Sequence, residues 1–200
     1  MFSTLFPILW TGERHQPIVY LTFDDGPEAD VTPGILDVLR THHVAATFFL
    51  VGSKAERMPS LLERMSGEGH AIGNHSFSHR RLIFKSKRRI DLEISQTNRI
   101  IQAATGQIPC FFRPPHGHFG PSVLASCTRH RMRLVLWNLT PRDYKKSISP
   151  SDILYRVERK IRNGRIILLH DTIKTLKLLP ELINEVKKQD FTFSTLNSIK

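Results

Sequence analysis

Short apolar runs rich in β-branched and aromatic residues alternate along the chain with stretches whose apolar residues recur three and four positions apart. The first pattern reads as buried strand and the second as amphipathic helix. Strands are predicted at Ile18–Phe23, Ala45–Val51, His70–Asn74, Cys110–Arg113, Arg133–Asn138, Arg165–His170 and Phe191–Ser194. Between them, Thr32 caps a predicted helix with Pro33 at its first position, reaching His42, and Pro59–Met65 forms another that Gly67 and Gly69 stop. Lys87–Ala104 is long and amphipathic, with Ile90, Ile94 and Ile101 on one face and Gly106 at its end. Pro121–Arg129, Ser151–Ile161 (capped by Ser151) and Leu179–Lys188 complete the set. Strand and helix in strict alternation predict an α/β fold with a largely parallel sheet, open or closed into a barrel. The number and length of the repeats favour a barrel slightly short of eight.

No repeat, low-complexity tract or linker divides the 200 residues, so one domain is expected from 18 to 200 behind an N-terminal extension, 1–17. A hydrophobic fraction of 40% excludes a disordered chain, and no apolar run reaches the ~18 residues of a membrane span. Residues 1–10 are apolar but lack a basic leader and a small-residue cleavage site. As written the chain is expected in the cytoplasm, or in the envelope or outside if its true start lies upstream. Cys110 and Cys127 lack the spacing of a redox pair or thiolate metal site and read as two small buried hydrophobes.

Charge changes the picture more. Twenty-nine basic against 18 acidic side chains leave a net +11, which by itself would suit a polyanionic partner. Arg80, Arg81, Lys85, Lys87, Arg88 and Arg89 form the densest cluster, with no nucleic-acid motif beside it. A basic solvated face is the plain alternative.

The chemistry collects where the strands end. Asp24-Asp25, Asn74-His75 with His79, Arg113 with His116, Asp143-Tyr144 and His170-Asp171 all follow apolar runs. In parallel β/α folds those ends share one face, where active sites are built. Adjacent carboxylates can both face inward only if the backbone turns, which Gly26-Pro27 would supply. One could then bind a cation while the other takes a proton. His75 and His79 would share a face if their stretch were helical, a spacing that suits one metal ion. Taken singly, each has a plainer reading: a solvated Asp-Asp-Gly turn, a hydrogen-bonded core histidine, a rigid Pro-Pro loop.

Together, Thr22-Phe-Asp-Asp-Gly-Pro27, His75-Ser-Phe-Ser-His79, Arg113-Pro-Pro-His-Gly117, Trp137-Asn-Leu-Thr-Pro-Arg-Asp-Tyr144 and Leu168-Leu-His170 resemble, in order and separation, the motifs of the NodB-homology polysaccharide deacetylases. These are carbohydrate esterases that remove acetyl groups from glycans. The resemblance runs from Ile18 to Leu196 and implies a single-domain distorted (β/α) barrel of about seven parallel strands. It implies that Asp25, His75 and His79 hold a divalent metal, usually zinc. Asp24 would be the general base, Arg113 its electrostatic restraint and His170 the general acid. The backbone N–H of His116 would help hold an oxyanion, and Leu168 with Trp137 or Tyr144 would line the acetyl slot. The implied partner is an N-acetylated glycan such as chitin oligomers or peptidoglycan, with no nucleic acid.

Two positions depart from the family pattern. Thr140 stands where the fourth motif often opens on an acid, so His170 is expected to titrate lower if that acid normally supports it. His116 replaces the more usual Tyr, a mild change if only its backbone acts. The competing readings are a catalytically silent glycan-binding module, a metal-free amidohydrolase on the same fold, and a nucleic-acid binder driven by charge.

Overall fold

Along β1 (Ile18–Asp24) every side chain from Val19 onward is buried, because the strand is covered on both faces. In the computed structural model, which describes residues 8–199, alternate side chains serve different cores. Val19, Leu21 and Phe23 join the core beneath the helices, whereas Tyr20 packs with Phe49, Phe111, Val135 and Ile166 on the opposite side. Of the apolar N-terminal stretch, residues 1–7 lie outside the described part.

The remaining strands are β2 (Thr47–Leu50), β3 (Ala71–Asn74), β4 (Phe111–Phe112), β5 (Arg133–Leu134), β6 (Ile166–His170) and β7 (Thr192–Phe193). All pair in parallel in the order β5-β4-β3-β2-β1-β6, and β7 pairs with the first two residues of β1. Beyond β5 the chain returns to β6 through a parallel bridge between Leu139 and Ile167. That bridge curls the seven-stranded sheet into a distorted barrel with one incomplete wall. A second bridge, Leu9 to Val135, lays the residues ahead of β1 along β5.

The helices are α1 (Thr32–Thr41), α2 (Gly52–Ala55), α3 (Pro59–Gly67), α4 (Lys87–Thr105), α5 (Pro121–Arg129), α6 (Pro150–Lys160) and α7 (Ile173–Lys188). Several termini depart from the sequence expectation. The residue before α1 is Val31, with no side-chain cap, because the Thr32 hydroxyl is used elsewhere. Ser149, rather than Ser151, caps α6 in a reciprocal box with Asp152, and Pro150 takes the first position. α7 begins at Ile173 and passes through Pro180, since Leu178, Leu179, Leu182, Ile183 and Val186 are buried on both sides of it. The fifth strand is shorter than expected because the chain leaves the ladder after Leu134 to cross toward β6. Cys127 is buried as expected, which pushes its thiol up to about 12, but Cys110 is exposed.

Candidate active site

Strand parity sets the site. Asp24 and His170 are register partners at the ends of β1 and β6, and Arg113 follows β4 on the same inner face as Phe111. The Arg113 side chain is wholly buried. Its Nη1 donates to Thr22 Oγ1 at 2.8 Å and to Asp24 Oδ1 at 2.6 Å, and Nη2 donates to the Leu136 carbonyl at 3.0 Å. The guanidinium lies 4.0 Å over the Phe49 ring and 5.8 Å from that of Trp137. Burial lowers its pKa, and the Asp24 carboxylate opposes that shift. Asp24 thus meets a fixed cation on one oxygen, while its Oδ2 is 3.7 Å from His75 Nε2.

Asp25 reaches the same place by a different route from the one expected. The turn is made by Asp25 itself, whose φ of 71° lies in the left-handed region, rather than by Gly26-Pro27 alone. Its Oδ1 sits 2.9 Å from His79 Nε2 and 3.3 Å from His75 Nε2. Burial opposes ionisation of Asp25, but hydrogen bonds and charge from His75 and His79 hold its carboxyl well below the usual range. The two histidines are not on a helix. They converge through an irregular loop with left-handed backbone at Ser76 and His79.

That loop is pinned from below. Asn74 Oδ1 accepts the Ser76 N–H at 2.8 Å, and Glu93 of α4 accepts both the N–H and the hydroxyl of Ser78. Asn74 is marked in the sequence only as a strand end, and Glu93 does not stand out there as a site residue. A buried Glu on the apolar face of an amphipathic helix is the one signal that would have found it.

Three lone-pair donors therefore face one point. Their ligand atoms lie within 4.8 Å of one another, and no other such group of three His, Cys, Asp or Glu occurs among the described residues. His75 Nδ1 is 2.7 Å from the Arg113 carbonyl, which can only accept, so a ring proton sits there and Nε2 is the ring atom left to face a cation. One carboxylate and two imidazoles so arranged fit a divalent cation with open positions.

His170 stands across from Asp24. Its Nδ1 is 3.0 Å from Asp143 Oδ1, and its backbone N–H donates to Asp143 Oδ2 at 2.7 Å. Thr175 Oγ1 also donates to Asp143 Oδ2. Burial alone would lower the His170 pKa, but Asp143, then Asp24 and Asp25, outweigh it and raise the value. With Thr140 in place of an acid, Asp143 supplies the partner. Asp143 was legible in the fourth motif but not in this role.

The lining residues surround these groups. Leu168 is buried on the inner face of β6, and Trp137 lies under the 3-10 turn Pro115–Gly117, where a Cβ on Gly117 would come within 2.7 Å of the indole. His116 has left-handed backbone (φ 60°), and its ring centroid is 5.0 Å from that of His79. Burial first, then the charges of His79 and Arg81, lower its pKa. Tyr144 is half exposed and sets its ring edge to face with His170 at 5.1 Å.

Behind the turn lies Asp171, which is buried. Its carboxylate accepts from the Thr32 hydroxyl, its backbone N–H donates to the Asp24 carbonyl, and a Cβ on Gly26 would come within 2.4 Å of Oδ2. Burial pushes its carboxyl up to about 7.

The model of the family described as polysaccharide deacetylase matches residues 11–135. The chain is 35% identical over 195 residues to a peptidoglycan-N-acetylglucosamine deacetylase of Bacillus cereus, covering 95% of this chain and 70% of that one. It is likewise 35% identical over 199 residues to the peptidoglycan-N-acetylmuramic acid deacetylase PdaA of Bacillus subtilis, covering 97% and 75%. Among solved structures, a CE4 family pseudoenzyme from Bacillus anthracis superposes with a TM-score of 0.90 at 30% identity, covering 96% of this chain and 68% of that one.

Proposed function

The chain belongs to the polysaccharide deacetylase family and is a glycan deacetylase, and from that premise we propose that it hydrolyses N-acetyl groups on a poly- or oligosaccharide beside a divalent ion held by Asp25, His75 and His79. The observation that carries the reading is the pairing of Asp24 with Arg113 at 2.6 Å on one side and its approach to His75 Nε2 at 3.7 Å on the other. A base beside a cation site is what water activation needs. The donor set favours zinc and admits other divalent ions. Such an ion, when bound, makes water more acidic and polarises the acetyl carbonyl.

Asp24 takes the proton of the attacking water, and Arg113 holds that carboxylate in place. The His116 N–H faces the oxygen that gains charge as the carbonyl carbon becomes tetrahedral. His170, protonated and held by Asp143 through Nδ1, delivers a proton from Nε2 to the departing sugar nitrogen. Leu168 and Trp137 enclose the acetyl methyl and exclude water around it. Acetate and a free amine leave.

The test is acetate release from chitin oligomers, peptidoglycan and acetylxylan, with and without chelator, alongside metal analysis of wild type and His75→Ala. Release that stops with chelator and returns with added metal, with metal lost in His75→Ala, is expected. No release from any glycan by the metal-loaded protein would leave a silent glycan binder on this fold, a state the B. anthracis neighbour's description as a pseudoenzyme makes worth testing. Undiminished release in chelator would favour a metal-free amidohydrolase.

A further inference from the structure

One residue past His79 the chain turns strongly basic, and the site chemistry makes no use of that charge. Arg80 and Arg81 are exposed, as are Lys85, Lys87 and Arg88, and none of the five forms an ion pair among the described residues. Arg89, by contrast, pairs with Glu93 at 3.2 Å. No acidic residue occurs from 80 to 90. Between the cations stands Phe84, 91% exposed.

This is not a loose tail. Leu82 is buried in a cluster with Ile90 and Val123, against which Phe119 packs. Ile83 Cγ1 sits at van der Waals distance, 3.7 Å, from where a Cβ on Gly120 would lie. The segment is thereby anchored beside the 116–120 loop, with its charged side chains turned outward. Arg81 is close enough to His116 for its charge to be felt there. A row of like charges repels itself; Asp91, which borders Lys87 and Arg88, pairs with Arg129, and Glu93 pairs with Arg89, so holding the remaining cations in one place costs stability that an anionic partner would recover. A neutral sugar chain would make no use of it. Phe84 adds what a bare anion site lacks, an apolar ring on which the C–H face of a pyranose can stack.

We propose that the rim formed by Arg80, Arg81, Phe84, Lys85, Lys87 and Arg88 is a subsite for a carboxylate-bearing stretch of the glycan, which makes the substrate class an acidic N-acetylated glycan in preference to a neutral one. The inference rests on the deacetylase reading of the adjoining site. A nucleic acid could meet the same charges, but the rim starts beside a metal-site histidine. The polymer lying on it is therefore the one whose acetyl group enters the site.

The experiment compares four oligosaccharides: chitotetraose; an N-acetylglucosamine–N-acetylmuramic acid tetrasaccharide with free lactyl carboxylates; its methyl ester; and the same tetrasaccharide carrying peptide stems. Acetate release gives kcat/KM, and calorimetry gives affinity. Wild type should favour the free acid over the ester by about 10-fold, with the preference shrinking as salt rises. The Arg80→Gln/Arg81→Gln/Lys85→Gln variant, checked for fold by circular dichroism, should lose that preference and keep wild-type kcat/KM on chitotetraose and the ester. A larger preference for the stem-bearing compound assigns the rim to stem carboxylates, and an equal one to the lactyl group. Equal treatment of acid and ester by wild type, or a preference that survives in the triple variant, overturns the proposal. So does a single-stranded oligonucleotide that displaces the free acid at equal affinity. Should no acetate be released from any compound, the deacetylase reading fails, and the calorimetric acid-to-ester ratio still decides the rim by the same two criteria.

Discussion

The carboxylate of Asp143 grips His170 at two points, Oδ1 on the imidazole Nδ1 and Oδ2 on the residue's own backbone N–H, so that ring and main chain are oriented by one side chain. The Nδ1 proton is thereby committed, and Nε2 is left as the end that can give a proton away.

An acid catalyst works only while protonated, so kcat/KM should fall as pH rises through the raised pKa of His170. Asp143→Asn removes the charge that raises it. The alkaline fall should move to lower pH, with activity at pH 8 reduced about 10- to 100-fold and a smaller loss at pH 6. A pH–rate profile whose alkaline limb stays in place would show that His170 does not set it.

Arg113 and Asp24 form a buried ion pair at 2.6 Å with almost no exposure on either side. Arg113→Ala leaves the carboxylate without its cation and empties the space between Phe49 and Trp137. Loss of about 3–5 kcal/mol is expected in urea unfolding. Asp24→Asn keeps shape and an acceptor for Nη1, so it should cost less stability while abolishing turnover and retaining metal. Equal destabilisation by the two variants would contradict this account of the pair.

Asp171 binds its proton up to about pH 7 in the folded protein and gives it up near 3.8 when unfolded. Between those values the native state holds more protons than the unfolded state, so this residue makes stability fall as pH rises. The effect is on the order of a few kcal/mol and complete above pH 7. Asp171→Asn cannot ionise. Its Tm relative to wild type should therefore climb between pH 5 and pH 8, and a difference independent of pH would rule out the buried acid.

A Cβ at Gly73 would lie 2.6 Å from the Phe49 ring, and Phe49 in turn carries the Arg113 guanidinium. Gly73→Ala should destabilise by about 1–3 kcal/mol through overpacking. Because the strain is passed to the ion-pair partner of Asp24, the proposed base, kcat should fall with KM nearly unchanged. Unchanged kcat in a destabilised variant would mean that Phe49 moves without Arg113.

Much of this was open to reading in the chain itself. Period-two alternation in the apolar runs puts Asp24, Arg113 and His170 on one face, and the parallel pairing of the strands agrees with strict β/α alternation. What escaped depends on contacts between segments far apart in sequence. His75 and His79 look like a helical pair, yet Asn74 and Glu93 hold them in a loop, and Glu93 lies 15 residues from the Ser78 it binds. Thr32 looks like a cap until Asp171, 139 residues away, claims its hydroxyl. Local signals give the elements; the side chains that steady the site answer to partners no local window contains.

The alternation in β1 also says which changes in gene length the barrel can absorb. One residue gained or lost between Ile18 and Asp24 would carry Asp24 to the helix side and bring Phe23 or Asp25 inward, whatever the added or removed residue. Divergence among such chains should therefore appear as insertions after the strand ends, while the strands themselves keep their count.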